Sequence, residues 1–410
     1  MEGRQPMFNR MRIGIDARFY GSVGKGLGRY TQKLIEHLEI LDTENEYVVF
    51  LRRENFSEYQ PRNPRFHKVL AQYPWYGWAE QLLFPFLLLK YRLRVVHFPH
   101  FNVPILYPGV FVVTLHDLIL LRHPTLRGTT RSVLFYWIKY GAYRLVIFCA
   151  LRRAAKVITV SHFAKRDIVE RYPFVCHKIE VTYEAVDDFC FMPTPRKTRV
   201  LFQRLGLIVK DEKSSENKSD RLVHDILKPY CLYVGNAYPH KNLEIFLDIA
   251  SCFPEYQFVL VGKEDYFYRR LERQVTRRAV RNIIFSGFVD DSELGSLYRF
   301  ASCYVFPSLY EGFGLPPLEA MNYGTPVLAS DRASLPEILG AAALYADPDN
   351  TQMFTQRLRD LLETSETREQ LRKRGHEQVA LYHWSDMAKK TRLLYESVVQ
   401  TKKYKNNEST

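Results

Sequence analysis

The sequence predicts an α/β protein of two doubly wound, Rossmann-like domains, each a parallel sheet with helices on both faces. Three observations predict it. Residues 11–16 (MRIGID) and 231–235 (CLYVG) are both short buried-strand patterns, each followed by a loop and a helical pattern. Behind each start, further short apolar runs alternate with helical periodicity, the pattern of buried parallel strands joined by crossover helices. At 410 residues, the chain is long enough for two domains with separate cores.

In the first half, residues 24–28 (GKGLG) follow the opening strand and a helical pattern runs from about residue 30 to 41. Strand-like runs then fall at 47–51, 94–98, 110–115 and 156–160. In the second half the opening strand leads to a helical pattern over 243–252, then strands at 257–261, 283–285, 303–306 and 326–329. Residues 210–220 (KDEKSSENKSD) are polar and without apolar periodicity, so they read as a flexible insertion near the boundary. The expected division is an N-terminal domain over 11–200, a linker or insertion over 201–228 and a C-terminal domain over 229–384. A closing helix over 385–401 is expected to pack back toward the N-terminal domain.

Composition narrows the class. Hydrophobic residues make up 46% and charged residues 25%, the range of a soluble globular protein. The six cysteines (Cys149, Cys176, Cys190, Cys231, Cys252 and Cys303) show no C-x-x-C spacing, which argues against a zinc site or disulfide framework and fits a reducing compartment. Residues 1–10 are polar and lack an apolar core, so they read as a disordered extension rather than a secretory signal. No uncharged apolar run approaches the ~18–20 residues that span a bilayer. The expected location is cytoplasmic, with the inner face of the membrane as a peripheral site.

Net charge is +13, and between residues 121 and 172 eleven Lys/Arg face only Asp167 and Glu170. Such an excess suits nucleic acid, an anionic membrane face or a phosphorylated acceptor. No nucleic-acid-binding module accompanies it. Arg131, Lys139, Arg152 and Arg153 read equally as a membrane-facing arc and as a solvated helix face.

The strongest chemical signal is residues 308–321, SLYEGFGLPPLEAM. Pro316 and Pro317 suit the first turn of a helix starting near Leu315, and the preceding glycines can expose backbone N–H groups. Such a helix aims its positive end at whatever lies in front, an anion site. Glu311 and Glu319 beside it make sense when hydroxyls must also be held, because a carboxylate accepts hydrogen bonds from sugar and ribose hydroxyls.

This segment resembles the signature of glycosyltransferase family 4, retaining enzymes of the GT-B fold with two Rossmann-like domains facing a central cleft. Further matches are VGNAYPHKN (234–242), IIFSGFVDDSEL (283–294), TLHDL (114–118) and VITVSHFAKRDI (157–168), so the resemblance spans nearly the whole chain. The sequence is most similar to bacterial mannosyltransferase-like members. The resemblance implies that Glu319 holds the ribose hydroxyls, and that Glu311 with Gly312, Phe313, Gly314 and Leu315 contacts the donor hexose and phosphate. It implies Lys241 on the diphosphate and the strand end from Gly287 to Val289 at the base. Asn236 and Gly26 complete the donor set, and the residue 24–28 loop is expected to close over phosphates or acceptor. His116 is expected to reach the donor sugar from the opposite domain, making His116, Lys241 and Glu311 the catalytic set. The implied donor is a nucleotide sugar, GDP-mannose or a UDP-hexose. The implied acceptor is a glycan or lipid-linked, and neither metal nor cofactor is needed.

Two departures stand out. Asn236 follows Gly235 where many members carry Arg, so the diphosphate clamp is either weaker or recruits His240 or Arg29. Residues 184–187 read Glu-Ala-Val-Asp where N-G-V-D is frequent, and they receive no role beyond structure. GKGLG is neither G-x-G-x-x-G nor a P-loop, leaving a plain turn or a closing loop. Asp347-Pro348-Asp349 formally matches a metal-binding Asp-x-Asp but reads as a turn and cap. His97 and His100 read equally as structural and as cleft-facing, and Ser161 reads as an N-cap. A catalytically silent sugar or nucleotide binder is the competing class, opposed by the joint presence of Glu311, Glu319, Lys241 and His116.

Overall fold

The computed structural model describes residues 10–21, 25–124, 133–187, 194–208 and 227–407. They form two compact units. The first takes its described residues from 10–118, 133–184 and 383 onward, and the second from the rest. The expected disordered extension lies almost wholly outside the described residues, as do Gly24, Arg131, Cys190 and the polar insertion.

In the first unit, β1 (Arg12–Asp16), β2 (Glu46–Leu51), β3 (Phe66–Leu70), β4 (Val95–Phe98), β5 (Phe111–Thr114), β6 (Lys156–Thr159) and β7 (Ile179–Val181) make one parallel sheet. Its order is β3-β2-β1-β4-β5-β6-β7, so the winding reverses between β1 and β4. Ile13, Ile15, Val95 and Val96 are wholly buried in the central strands. β3 and β7 have no counterpart in the sequence reading. They are the two edges, and their partly exposed burial denies them the continuous apolar run that marks a central strand.

α1 (Lys25–Leu41) buries Tyr30, Leu34, Ile35 and Leu38, a stripe at helical spacing. It starts earlier than expected: Gly26 and Gly28 lie in its first turns rather than in a loop. A Cβ at Gly28 would sit 2.0 Å from the Gly21 carbonyl oxygen, so this helix end approaches the backbone after β1 too closely for any side chain. A long helix, α2 (Val133–Arg153), precedes β6, and Ser161 caps α3 (His162–Arg171) by accepting from the Ala164 N–H. The last helix, α4 (Trp384–Asn407), packs along α1 and presents Tyr395, whose hydroxyl lies 2.6 Å from His97 Nδ1.

In the second unit, β8 (Tyr230–Val234), β9 (Gln257–Val261), β10 (Ile283–Gly287), β11 (Cys303–Phe306), β12 (Val327–Ser330) and β13 (Ala343–Ala346) form a second parallel sheet. Its order is β10-β9-β8-β11-β12-β13, reversing between β8 and β11. β13, again an edge, was not expected. Helix Pro195–Arg204 belongs here rather than with the first unit, since Thr198 Oγ1 meets Ser296 Oγ at 2.9 Å and Phe202 packs on Tyr230 and Phe300. Flanking the insertion, Ile208 and Leu227 pair antiparallel, which ties its two ends together. Among the described residues, no helix is long and apolar enough to cross a membrane.

Candidate functional site

In open α/β sheets, ligands bind beyond the carboxyl ends of the strands where the winding reverses. In the second unit that point is bordered by the loops after β8 and β11, which carry Lys241 and residues 308–314. The β8 loop tightens through Pro239–Lys241 and turns at Asn242 in left-handed geometry, φ 55°. Asn242 Nδ2 donates to the Pro348 carbonyl at 2.9 Å, fixing the loop. Asn236 accepts at its side chain from the Tyr238 N–H and at its carbonyl from the Tyr233 hydroxyl.

Lys241 Nζ lies 2.5 Å from Glu311 Oε1, and the side chains are only 12% and 10% exposed. The Lys241 ammonium also stands over the Phe306 ring, 5.2 Å from its centroid. Ser308 Oγ donates to the same Glu311 oxygen at 2.5 Å. Behind them, the Ser334 hydroxyl reaches the carbonyls of Glu311 and Phe313 at 3.1 and 2.8 Å, and Ser330 holds the Ser308 carbonyl at 2.5 Å. A buried ion pair needs such further hydrogen bonds to offset desolvation.

Helix α5 (Leu315–Asn322) begins where the sequence places it, with Gly314 before it at φ 105°. Only a residue without Cβ takes that angle cheaply. Pro316 and Pro317 carry no N–H, so the donors at this helix end come from Leu315 and the residues preceding it. Glu319, within α5, receives the Tyr298 hydroxyl on Oε2 at 2.9 Å. Tyr298 itself is wedged between Tyr304 and Tyr323, which fixes its ring. At the end of β10, Gly287 takes φ 69° and its carbonyl accepts from the Gly262 N–H, while Val289 is buried.

Two sequence expectations change here. Burial depresses the pKa of His240 to about 4, with Lys241 and His123 adding to it and Glu311 opposing, which disfavours it as an auxiliary cation. Asp347 and Asp349 do turn the chain, but Asn350 caps the following helix, and both carboxylates lie 2.7 Å from Arg332.

In the first unit, the corresponding strand ends carry histidines. His116 Nδ1 is 3.0 Å from Glu184 Oε1 and Nε2 is 3.0 Å from the Pro99 carbonyl oxygen. Both partners can only accept, an arrangement that favours a ring donating from both nitrogens. Burial alone would lower its pKa, but the Glu184 hydrogen bond and charge, joined by the Pro99 carbonyl, raise it above the ordinary histidine value. The Tyr30 ring meets it edge-on at 4.6 Å. Glu184 therefore acquires a role that the sequence reading withheld from it. His97 is structural: it bridges Tyr395 and Thr114 at 2.6 and 2.8 Å, and burial pushes it down to about 3. His100 is also depressed to about 3 by burial; it stacks on Phe19 and meets Phe101 at a tilt, its Nδ1 without a hydrogen-bond partner.

Geometry thus unites Lys241, Glu311 and Gly312–Leu315, and presents Glu319 on the adjoining helix. It adds Tyr298, Ser334 and Glu184, which no local motif marks, and gives Ser308, the first residue of the 308–321 segment, a hydrogen bond to Glu311. A cation, paired carboxylates and a helix end at a switch point suit an anionic ligand bearing hydroxyl groups.

Comparison with known proteins bears on both units. Residues 24–188 match the family model described as Glycosyltransferase Family 4, and residues 214–378 the one described as Glycosyl transferases group 1. The chain is 27% identical over 389 residues to the O-antigen chain mannosyltransferase B of Escherichia coli, covering 89% of this chain and 94% of that protein. It is 27% identical to the O-antigen chain mannosyltransferase RfbU of Salmonella typhimurium, with 70% of each chain covered. Among solved structures, sucrose-phosphate synthase from Thermosynechococcus elongatus superposes with a TM-score of 0.71 at 21% identity, covering 96% of this chain and all of that one. Anabaena HepE in complex with UDP and glucose gives 0.70 at 16% identity, with 95% and 100% covered. At such identities these two structures speak to the fold.

Proposed function

The chain belongs to glycosyltransferase family 4, of the group 1 glycosyltransferases, and we propose that it is a retaining, metal-independent hexosyltransferase. The donor is a nucleotide diphosphate sugar, GDP-mannose first and a UDP-hexose second, and the acceptor is a glycan or lipid-linked glycan. The mannosyltransferase relatives support the sugar, and the UDP complex of HepE supports a nucleotide donor. The proposed setting is polysaccharide biosynthesis in the cytoplasm, and the relatives' O-antigen chains support the first of these.

The observation that carries this reading is the Lys241–Glu311 pair beside the start of α5. An incoming diphosphate competes for Lys241 and draws it from Glu311, whose carboxylate then accepts hexose hydroxyls. The N–H groups of Gly312–Leu315 face the phosphate, Glu319, steadied by Tyr298, accepts the ribose hydroxyls, and Gly287–Val289 receives the base. Asn236 and Gly26 complete the donor contacts. As the bond from the anomeric carbon to the diphosphate breaks, the leaving oxygen gains negative charge that Lys241 and the helix end stabilise. The acceptor oxygen bonds the anomeric carbon on the same face, and its proton passes to the departing phosphate oxygen. His116, as imidazolium, is assigned to the donor hexose, exchanging the Pro99 carbonyl for a sugar oxygen. Charge neutralisation by Lys241 and the helix end, and the commitment of Asp347 and Asp349 to Arg332, support a reaction that proceeds without metal.

The test is a thermal-shift panel of GDP-mannose, UDP-glucose and the free nucleotides, followed by NMR of the product formed in excess chelator. Selective stabilisation and a product with the donor's anomeric configuration are expected. Binding without turnover or donor hydrolysis would leave a nucleotide-sugar binder, and inversion or loss of activity in chelator would overturn the mechanism.

A further inference from the structure

We propose that the first unit carries a docking face for a bilayer surface rich in anionic lipid headgroups. It is argued from surface chemistry alone and stands apart from the transfer reaction. Helices Trp78–Leu82 and Phe84–Lys90 turn Glu80, Phe84, Pro85 and Leu88 inward, Glu80 pairing with the buried Arg18. Their outer side exposes Trp78 (84%), Phe86 (70%), Leu82, Leu83 and Leu89, none of which the fold needs for burial.

The face continues beyond these helices. Gln81 Oε1 accepts from the Ile105 N–H at 2.9 Å, and the adjoining Leu106 is 64% exposed. Arg153, at the end of α2, donates to the carbonyls of Ile105 and Tyr107 on either side of Leu106. Ring contacts run from Tyr76 through Phe101 to Tyr143, joining the first helices to the middle of α2. On α2 itself, Ile138, Leu145 and Phe148 are exposed. Apolar surface on this scale marks an interaction site.

Charge selects the partner. Residues 59–166 hold sixteen Lys/Arg and two carboxylates, Glu80 and Asp117, and Glu80 is buried. Lys90, Arg92, Arg144 and Arg152 are exposed, Lys90 directly after the exposed Leu89, Arg144 directly before Leu145 and Arg152 one helical turn beyond Phe148. Arg153 is turned to backbone carbonyls, so the arc expected of it with Lys139 and Arg152 gives way to this broader face. Trp, Leu and Phe ringed by basic groups match a membrane interface, where apolar bodies enter the acyl boundary and cations meet phosphates. A nucleic acid would satisfy the charge and leave the apolar side chains in water. A second copy of the chain would set two basic faces against each other.

The test is co-sedimentation of the full chain with phosphatidylcholine vesicles, with and without phosphatidylglycerol. Binding is expected only with the anionic lipid, and most of it is lost on raising salt from about 0.05 M to about 0.5 M. The W78S/F86S variant is expected to bind on the order of a hundredfold more weakly. K90Q/R92Q/R144Q should lose a similar factor on anionic vesicles. Nucleotide binding in both variants reports whether they fold, and the salt series on the unaltered chain needs no variant. Absence of vesicle binding, equal binding to both vesicles, or unchanged binding by both variants overturns the proposal. So does a concentration-dependent dimer that W78S/F86S abolishes, which assigns the face to a second copy.

Discussion

Replacing Lys241 by methionine removes one charge and keeps most of the side-chain length. Glu311 is then left nearly buried, with the Ser308 hydroxyl still donating to the same carboxylate oxygen. Breaking a buried pair from one side costs about 3–5 kcal/mol, and the residual 12% and 10% exposure of the two side chains brings the expectation to about 2–3 kcal/mol. For a unit of this size that is roughly 5–10 °C in melting temperature. Under the proposed mechanism the same substitution also removes the cation opposite the departing diphosphate and should slow transfer on the order of 10²–10³-fold. The two losses separate in the double variant Lys241→Met/Glu311→Gln. There the buried charge is gone, so stability returns to within about 1 kcal/mol of the parent while turnover stays low. Melting curves and single-turnover kinetics on the two single variants and the double complete the cycle. Additive stability losses would refute the pairing, and unaltered turnover in Lys241→Met would refute its role at the diphosphate.

Glu319→Ala should weaken nucleoside diphosphate binding itself, and Tyr298→Phe should do so by about tenfold through loss of one hydrogen bond to a charged group; titration calorimetry reads both. Glu184→Gln keeps an acceptor near His116 Nδ1 while removing the charge, so burial prevails and the ring's pKa falls, as an NMR titration of histidine C–H signals will report. In the parent, the stability from His116 protonation is complete below about pH 6.5 and is lost as pH rises through its raised folded value. That alkaline loss should vanish in Glu184→Gln. His97, His100 and His240 run the other way: with folded values depressed to about 3, 3 and 4, each binds a proton only on unfolding. Stability should therefore fall on acidification from about pH 6.5, by up to about 1.4 kcal/mol per pH unit per group, and a flat denaturation midpoint between pH 6.5 and 4.5 would contradict their burial.

The two units divide the chemistry by charge. At the second sheet's reversal the polar groups converge on a cation and a helix end, whereas in the first the strand ends carry histidines whose pKa values shift in opposite directions. His97 is pushed toward its neutral form by burial between a tyrosine and a threonine hydroxyl, whereas a carboxylate and a carbonyl beside His116 raise its pKa and favour the protonated ring. Sequence alone leaves both readings open for such a residue. Ring surroundings set the proton, and those come from residues 17 to 298 positions away.

By itself the sequence determined the architecture and marked the segments that gather at the reversal of the second sheet. Central strands such as β1, β8, β9 and β11 are buried on both faces, so each is a short apolar run visible without any partner. The start of α5 was visible for an equally local reason, because Gly314, Pro316 and Pro317 constrain their own backbone. What tertiary structure alone decided was everything that depends on a neighbour far along the chain. Edge strands β3, β7 and β13 acquire their conformation by pairing, the early start of α1 rests on Gly28 meeting the backbone near Gly21, and Glu311 meets Lys241 across 70 positions. Tyr298 on Glu319 and Glu184 on His116 belong with them. Their side chains are ordinary in sequence, and a hydrogen bond over such a separation is set by how the strands are ordered in the sheet, which local propensity does not encode.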